Sequence, residues 1–283
     1  MTGAVGRGRN RAQRLSLSAL GAVIGLLFFI PLLWVVTNSL RPGAETFAHL
    51  SPLTWESFFE LRPTLLNYRD LFGGEIGRAT LNSILVSAAT VLVGLAVCAS
   101  AAFGLAAFQY RGRGLAFGVV VLSFLVPFDA IAIPLSTMFR DWNLTNTFTG
   151  LILPGIGNGM AIFLLRQFFL GIPTELVEAG RLDGLSWFGV FRWIYLPLSR
   201  PALIGAGLML FLFQWQSYVW PLLIGTDAKH IVGPVALANL QGQNFTDYGL
   251  VFSGAVVLTI IPLVVIASFQ RYFVQSVSSS GLK

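Results

Sequence analysis

An all-α polytopic membrane protein with six transmembrane helices is the fold class this sequence predicts, and three observations predict it. Hydrophobic residues make up 55% of the 283 positions and charged residues only 11%, which is not the balance of a soluble domain. Apolar segments recur at about 15–40, 79–108, 115–139, 147–170, 202–224 and 249–273, each near or above the ~20 residues needed to cross the hydrocarbon of a bilayer. The basic excess, +6, is scattered among the ends of those segments instead of forming one dense run. That distribution is a topology signal and not a nucleic-acid footprint.

Residues 1–14 form a basic N-terminus carrying Arg7, Arg9, Arg11 and Arg14 and no acid. The run at 15–40 is longer than a signal-peptide core and meets no small-residue cleavage site before Asn38-Ser39, so it reads as an uncleaved first helix. Residues 41–77 read as a mixed-charge extracytoplasmic loop with interfacial helix around Trp55, Phe58 and Phe59. Five further spans fill 78–273, with a hydrophilic segment at 171–200, and 274–283 form a tail. Basic residues counted on alternate sides divide 12 to 6: one side holds the N-terminal arginines with Arg111, Arg113, Arg166, Arg181, Arg192, Arg200, Arg271 and Lys283. The arginine-rich side is cytoplasmic, so the expectation is a multi-pass protein with both termini and 171–200 in the cytoplasm.

The 171–200 segment is the one long hydrophilic interruption that reads as structured. Glu175 falls in the first turn after Pro173, where a carboxylate complements the helix dipole, and Asp183-Gly184 signals a turn. Ser186 is a candidate N-cap for a second helix that places Trp187, Phe191, Ile194 and Tyr195 on one face before Pro197 stops it. The pattern alone fits an interfacial amphipathic loop equally well.

Chemistry of the chain's own is hard to find. Neither Lys229 nor Lys283 completes a G-x-x-x-x-G-K-[ST] phosphate loop, and there is no H-E-x-x-H and no G-x-S-x-G. The single cysteine, Cys98, lies in an apolar segment and allows no intrachain disulfide; His49 and His230 lack ligand spacing and read as solvated loop histidines, so no metal site is expected. Any driving energy must come from another subunit or an ion gradient. Within the spans, Asp129 lies between Pro127 and Pro134; it either faces a polar solute or gate, or caps a proline-broken helix or pairs with a partner subunit. Gln214, Gln216, Ser217 and Tyr218, among Trp215 and Trp220, combine amides, hydroxyls and ring faces suited to a sugar. Helix–helix hydrogen bonds and an interfacial aromatic belt would use the same residues.

Glu178-Ala179-Gly180, then Asp183-Gly184, Phe191, Ile194 and Leu196-Pro197-Leu198 with Pro201 resemble the EAA loop of binding-protein-dependent ABC importer permeases, with Gly180 in place of the usual second Ala. That Gly lowers helix propensity by roughly 1 kcal/mol against Ala. Further elements are similar to the carbohydrate, MalG-like branch: Asn67-Tyr68, Asn82-Ser83, Ala101-Ala102-Phe103-Gly104-Leu105-Ala106, Asn146-Thr147, Gly150-Leu151-Ile152-Leu153-Pro154, Phe163-Leu164-Leu165-Arg166 and Trp220-Pro221-Leu222. The chain departs at Trp215-Gln216-Ser217-Tyr218, where the branch has W-N-x-F, a change at a position that faces the pathway in relatives.

The resemblance implies a MetI-like core of five helices preceded by one more, acting as a permease subunit in a bacterial inner membrane. It implies that Glu175, Glu178, Ala179, Gly180, Asp183, Gly184, Phe191 and Pro197 belong to a coupling loop that docks on a separate ATPase dimer, which binds the ATP and Mg. Glu178 would meet a basic group there, and Gly184 would let the chain turn. Also implied are a second permease subunit completing a heterodimer, a solute-binding protein delivering a sugar or sugar derivative to outer loops including 225–248, contact with membrane lipid, and no nucleic acid. A permease of the same architecture for glycerol phosphate, polyamine or another small polar solute remains the alternative; a gradient-driven transporter would need several intramembrane charges, and this sequence lacks them.

Overall fold

The computed structural model describes residues 5–47, 54–60, 62–241 and 246–280; His49, Gly242 and the tail residues 281–283 lie outside the described residues. The described residues form helices and no strand, with one isolated bridge between Gln241 and Thr246. Two compact units divide the chain, Met1–Gly73 with Leu240–Val257, and Gly74–Asn239 with Leu258–Lys283.

In the first unit, α1 (Val5–Ser39) presents the apolar stretch Leu15–Ser39 with none of its most apolar window buried, as a helix facing lipid would. Its C-terminal carbonyls are not left bare. Asn67, on α2 (Leu66–Gly73), donates from Nδ2 to the carbonyls of Ser39 at 2.9 Å and Arg41 at 2.6 Å, and Ser39 Oγ lies 2.7 Å from the Tyr68 hydroxyl. The Asn67-Tyr68 pair is therefore a helix-end clamp. Arg41 is 1% exposed and donates to Glu60 at 2.5 Å, to Asn38, and to the carbonyls of Glu56 and Phe59. Every face of its buried guanidinium thus has an acceptor.

In the second unit, α3 (Glu75–Ala107) runs unbroken for 33 residues and packs against α7 (Gly159–Phe169) and α11 (Arg200–Trp215). The core is built from small residues that let backbones approach, Cys98, Ala99, Ala102, Ala161, Ala202 and Ala206, with Phe103, Leu165, Phe169, Val190, Tyr195 and Leu210 filling between.

Among the described residues three helices are long and apolar enough to cross a membrane, Leu15–Ser39, Glu75–Ala107 and Tyr248–Gln270, and up to six spans result if each of three bent pairs counts as one. The expected span 115–139 is bent by 97° between α4 (Arg113–Leu125) and α5 (Phe128–Asp141). Pro127 causes this: the residue before a proline avoids the α region, and Val126 is extended at φ −77, ψ 119. The expected span 147–170 is bent by 44° between Phe148–Gly155, which includes α6 (Phe148–Ile152), and α7, whose N-terminus is capped by Asn158. The expected span 202–224 is α11, a non-helical break at Gln216–Tyr218, and α12 (Val219–Ile224). Two helices close the chain, α13 (Gly233–Asn239) and α14 (Tyr248–Ser280).

Candidate functional site

The hydrophilic segment begins after Pro173 with α8 (Thr174–Leu182), which has Glu175 in its first turn and Arg181 in its last, both complementing the dipole. The amide of Leu185 donates to the Gly180 carbonyl at 3.0 Å and that of Gly184 to the Arg181 carbonyl at 3.1 Å, with Gly184 at φ +90. These two bonds are a Schellman C-cap, and its left-handed residue is a glycine because a Cβ would be strained there. Arg181 also donates to the Leu185 carbonyl at 2.6 Å, tightening the turn.

Ser186 caps the second helix as expected, accepting from the Gly189 amide at 3.1 Å. The helix does not stop at Pro197. It passes from α9 (Trp187–Val190) through a π-helical turn at Phe191–Tyr195 into α10 (Leu196–Leu198), and bends by 82° into α11. The wider turn just before Pro197 changes the bonding register, with the Leu196 amide reaching the Phe191 carbonyl, and this accommodates a residue without an N–H.

Two faces result. Inward, Val190 and Tyr195 are buried, and Phe103 on α3 meets the rings of Phe191 and Tyr195, each at 4.9 Å. Phe191 is thus an anchor in the core. Gly180 is buried because Ile194 and Leu185 close over it; an added Cβ would meet Ile194 Cδ1 at 2.7 Å. Outward, Glu175, Glu178, Ala179 and Asp183 are exposed, together with Leu182, Phe188 and Trp193, the last three at 88%, 74% and 66%. Sequence reading named the carboxylates but missed these three; Trp193 is three residues from the buried Val190, so helical spacing gave no signal for it. Pro197 is half-buried.

At the same end of α3, Arg113 donates to the Leu105 carbonyl at 2.8 Å and to Ala106, and Arg166 donates to Leu105 at 3.2 Å with its guanidinium 3.9 Å from the Phe117 ring centre. Two cations at a helix C-terminus satisfy its carbonyls and its dipole together.

The candidate pathway residues separate. Gln214 turns inward, accepting from the Thr90 hydroxyl at 3.3 Å, and a side chain on Gly155 would strike it. Gln216 and Tyr218 are exposed and Ser217 half-buried, all in the break. Trp215 Nε1 donates to the Leu258 carbonyl before the break and Trp220 Nε1 to that of Gly150 after it, both at 3.0 Å. Asp129 is exposed in the first turn of α5, and the neighbouring Phe128 ring meets Trp220 at 5.7 Å. The structure brings the start of α5 to the start of α12, two residues beyond Tyr218.

The segment after α12 is held from both sides. Asn146, left-handed at φ 57, accepts at Oδ1 from the amides of Thr226 at 2.8 Å and Asp227 at 3.1 Å. Asn82 donates to the carbonyls of Lys229 and Ile231, each at 2.8 Å, and Ser83 Oγ accepts from the Gly233 amide at 2.9 Å. His230 is not a solvated loop histidine: its ring lies 2.7 Å from Asp227 and edge-on to Phe148, with 19% of the side chain exposed. Desolvation raises the Asp227 carboxyl, but the hydrogen bonds and charge of His230 and the Lys229 amide outweigh it and hold it below its ordinary value. Among the described residues no cluster of three or more His, Cys, Asp or Glu could hold a metal.

Comparison with known proteins then gives a consistent result. The family model described as "Binding-protein-dependent transport system inner membrane component" matches residues 96–279. The "Arabinooligosaccharides transport system permease protein AraQ" of Halalkalibacterium halodurans is 31% identical over 270 residues, covering 93% of this chain and 94% of the relative. The "Trehalose transport system permease protein SugB" of Mycobacterium tuberculosis is 32% identical over 260 residues, covering 90% and 92%. A crystal structure of a bacterial ABC transporter involved in the import of the acidic polysaccharide alginate superposes with a TM-score of 0.80 at 20% identity, covering 94% of this chain and 98% of that one, and so shares the fold.

Proposed function

Since the chain belongs to the family of binding-protein-dependent transport system inner membrane components, and is an ABC permease subunit and not an enzyme, we propose that it forms half of the inward pathway for a sugar or sugar derivative and couples to a separate ATPase through residues 171–200. One observation carries the coupling reading: a glycine-capped helix pair leaves carboxylates and large apolar side chains exposed while Phe191 and Tyr195 lock it to α3. Leu182, Phe188 and Trp193 are exposed on the same helix pair as Glu178, Arg181 and Arg192, and large apolar side chains left among charges suit a surface that a protein partner covers. The basic residues support the orientation, with Arg113, Arg166, Arg181, Arg192 and Arg200 gathered at the coupling end, which is therefore cytoplasmic. The break at Gln216–Tyr218 exposes an amide, a hydroxyl and a ring beside α5, where Asp129 begins a helix, and these are the residues assigned to the solute.

A second permease subunit, a solute-binding protein and an ATPase dimer complete the assembly. The test is uptake by proteoliposomes holding the chain with its co-purified partners and ATP on the ATPase side. Labelled trehalose, an arabino-oligosaccharide and glycerol 3-phosphate are offered in turn. ATP-dependent uptake of a saccharide supports the reading. Uptake of glycerol 3-phosphate alone would move the chain to the charged-solute alternative, and uptake without ATP would overturn the coupling role.

A further inference from the structure

We infer that α3 is the mechanical link between the two ends of the second unit, and that Asn82 and Ser83 are the positioning residues that attach it to the segment 229–233. The inference rests on the coupling role proposed above for 171–200. Three observations meet in α3. Among the described residues it is the one uninterrupted span lying wholly within that unit; the other candidate spans there are helix pairs bent by 97°, 44° and 82°, the last where 187–198 meets α11. Near its N-terminus, Asn82 and Ser83 are both buried and between them make three hydrogen bonds to the backbone at 229–233, across some 150 residues of sequence. Near its C-terminus, Phe103 packs on Phe191 and Tyr195 of the coupling segment, and Arg113 and Arg166 hold the last carbonyls.

Ser83 and Phe103 are separated by about 30 Å of continuous helix at 1.5 Å per residue. An uninterrupted helix has no break about which one end can pivot against the other, as a bent pair has. Bonds to backbone carbonyls and an amide grip the 229–233 segment whatever its side chains are, which suits a fixed attachment. Asn146 holds the preceding Thr226 and Asp227, and the Asp227 carbonyl accepts from the amides of His230 and Ile231, so 226–233 is tied as one piece. Contact of a loaded binding protein with this end then reaches the ATPase through α3, and closure of the ATPase reaches the 229–233 segment by the same route.

The experiment uses the full complex in proteoliposomes and reads the ratio of ATP hydrolysis with and without saturating solute-loaded binding protein. Ser83→Ala is expected to lower that ratio about five-fold, the scale of one lost hydrogen bond in a coupling free energy. Ser83→Thr, which keeps the hydroxyl, is expected to restore most of it. Phe103→Leu is expected to lower the ratio too, and the double variant to be no worse than the poorer single one, because both interrupt one link. A wild-type ratio in Ser83→Ala would overturn the inference, as would Thr failing as Ala does, or the two losses multiplying as independent sites. If Phe103→Leu does not assemble, the Ser83 pair decides alone. A wild-type complex that the binding protein does not stimulate would count against the coupling role itself, so the two failures are distinguishable.

Discussion

Gly184 and Gly249 show how single residues carry this structure for different reasons. Gly184 is required by its φ of +90, and Gly184→Ala is expected to cost about 1–2 kcal/mol through the left-handed conformation, although no neighbour lies within 4 Å. Gly249 is required by space: a Cβ would meet the Asn67 amide at 2.8 Å, and that amide is fixed by two carbonyls. Gly249→Ala should therefore lower the melting temperature in detergent, whereas Gly104→Ala, in open space within α3, should raise it or leave it unchanged through a helix-propensity gain of up to ~1 kcal/mol. Asp227 adds a pH dependence whose sign follows from its depressed carboxyl: the contact with His230 is at full strength above the ordinary carboxylate value of 3.8 and is lost as pH falls through the lower folded value. Carboxyl chemical shifts across that acid range should titrate below those of a model peptide, and His230→Ala should return them toward it. The inward turn of Gln214 was not legible in the sequence, because its partner Thr90 is 124 residues away and packing alone decides which amide faces inside. The same holds for His230, which the pattern reads as solvated and the fold sets against Phe148.

Among the elements, the helices of 171–200 were legible almost residue by residue because their signals are local: Pro173 before the start, Asp183-Gly184 at the turn, and Ser186 at the next cap. The extension past Pro197 was not, since a π turn is a register choice that no residue type announces. The bends in the spans were half legible. Pro127 stands in the sequence and sets the extended Val126 at the 97° bend, but uninterrupted hydrophobicity reads as one span and no residue type announces the angle. The capped end of α3 gives a test at this scale. Arg166→Gln leaves Arg113 on the Leu105 carbonyl and should cost under ~1 kcal/mol, while the double variant with Arg113→Gln leaves the helix end bare and should cost more than the two single losses added. Thermal melting of the four proteins, completing the cycle, measures the difference.

Across the whole chain, the fold and the family agree: an all-α multi-pass permease, matched from 96 to 279 by one family model and along 93% of its length by an arabinooligosaccharide permease. In the second unit one end carries the exposed charged and apolar side chains of 171–200, the segment proposed to couple to an ATPase, and the other holds 225–233 by side chains from α3 and the loop before α6. The measurement that tests this most directly is ATP-driven uptake by complexes carrying Glu178→Ala or Gly184→Asp, with assembly of each complex checked by co-purification of the ATPase. Both complexes are expected to assemble and to lose at least about ten-fold in uptake, the loss that ~1.4 kcal/mol of coupling produces. Wild-type uptake by both assembled variants would contradict the account and remove the 171–200 segment from the path between ATP and solute.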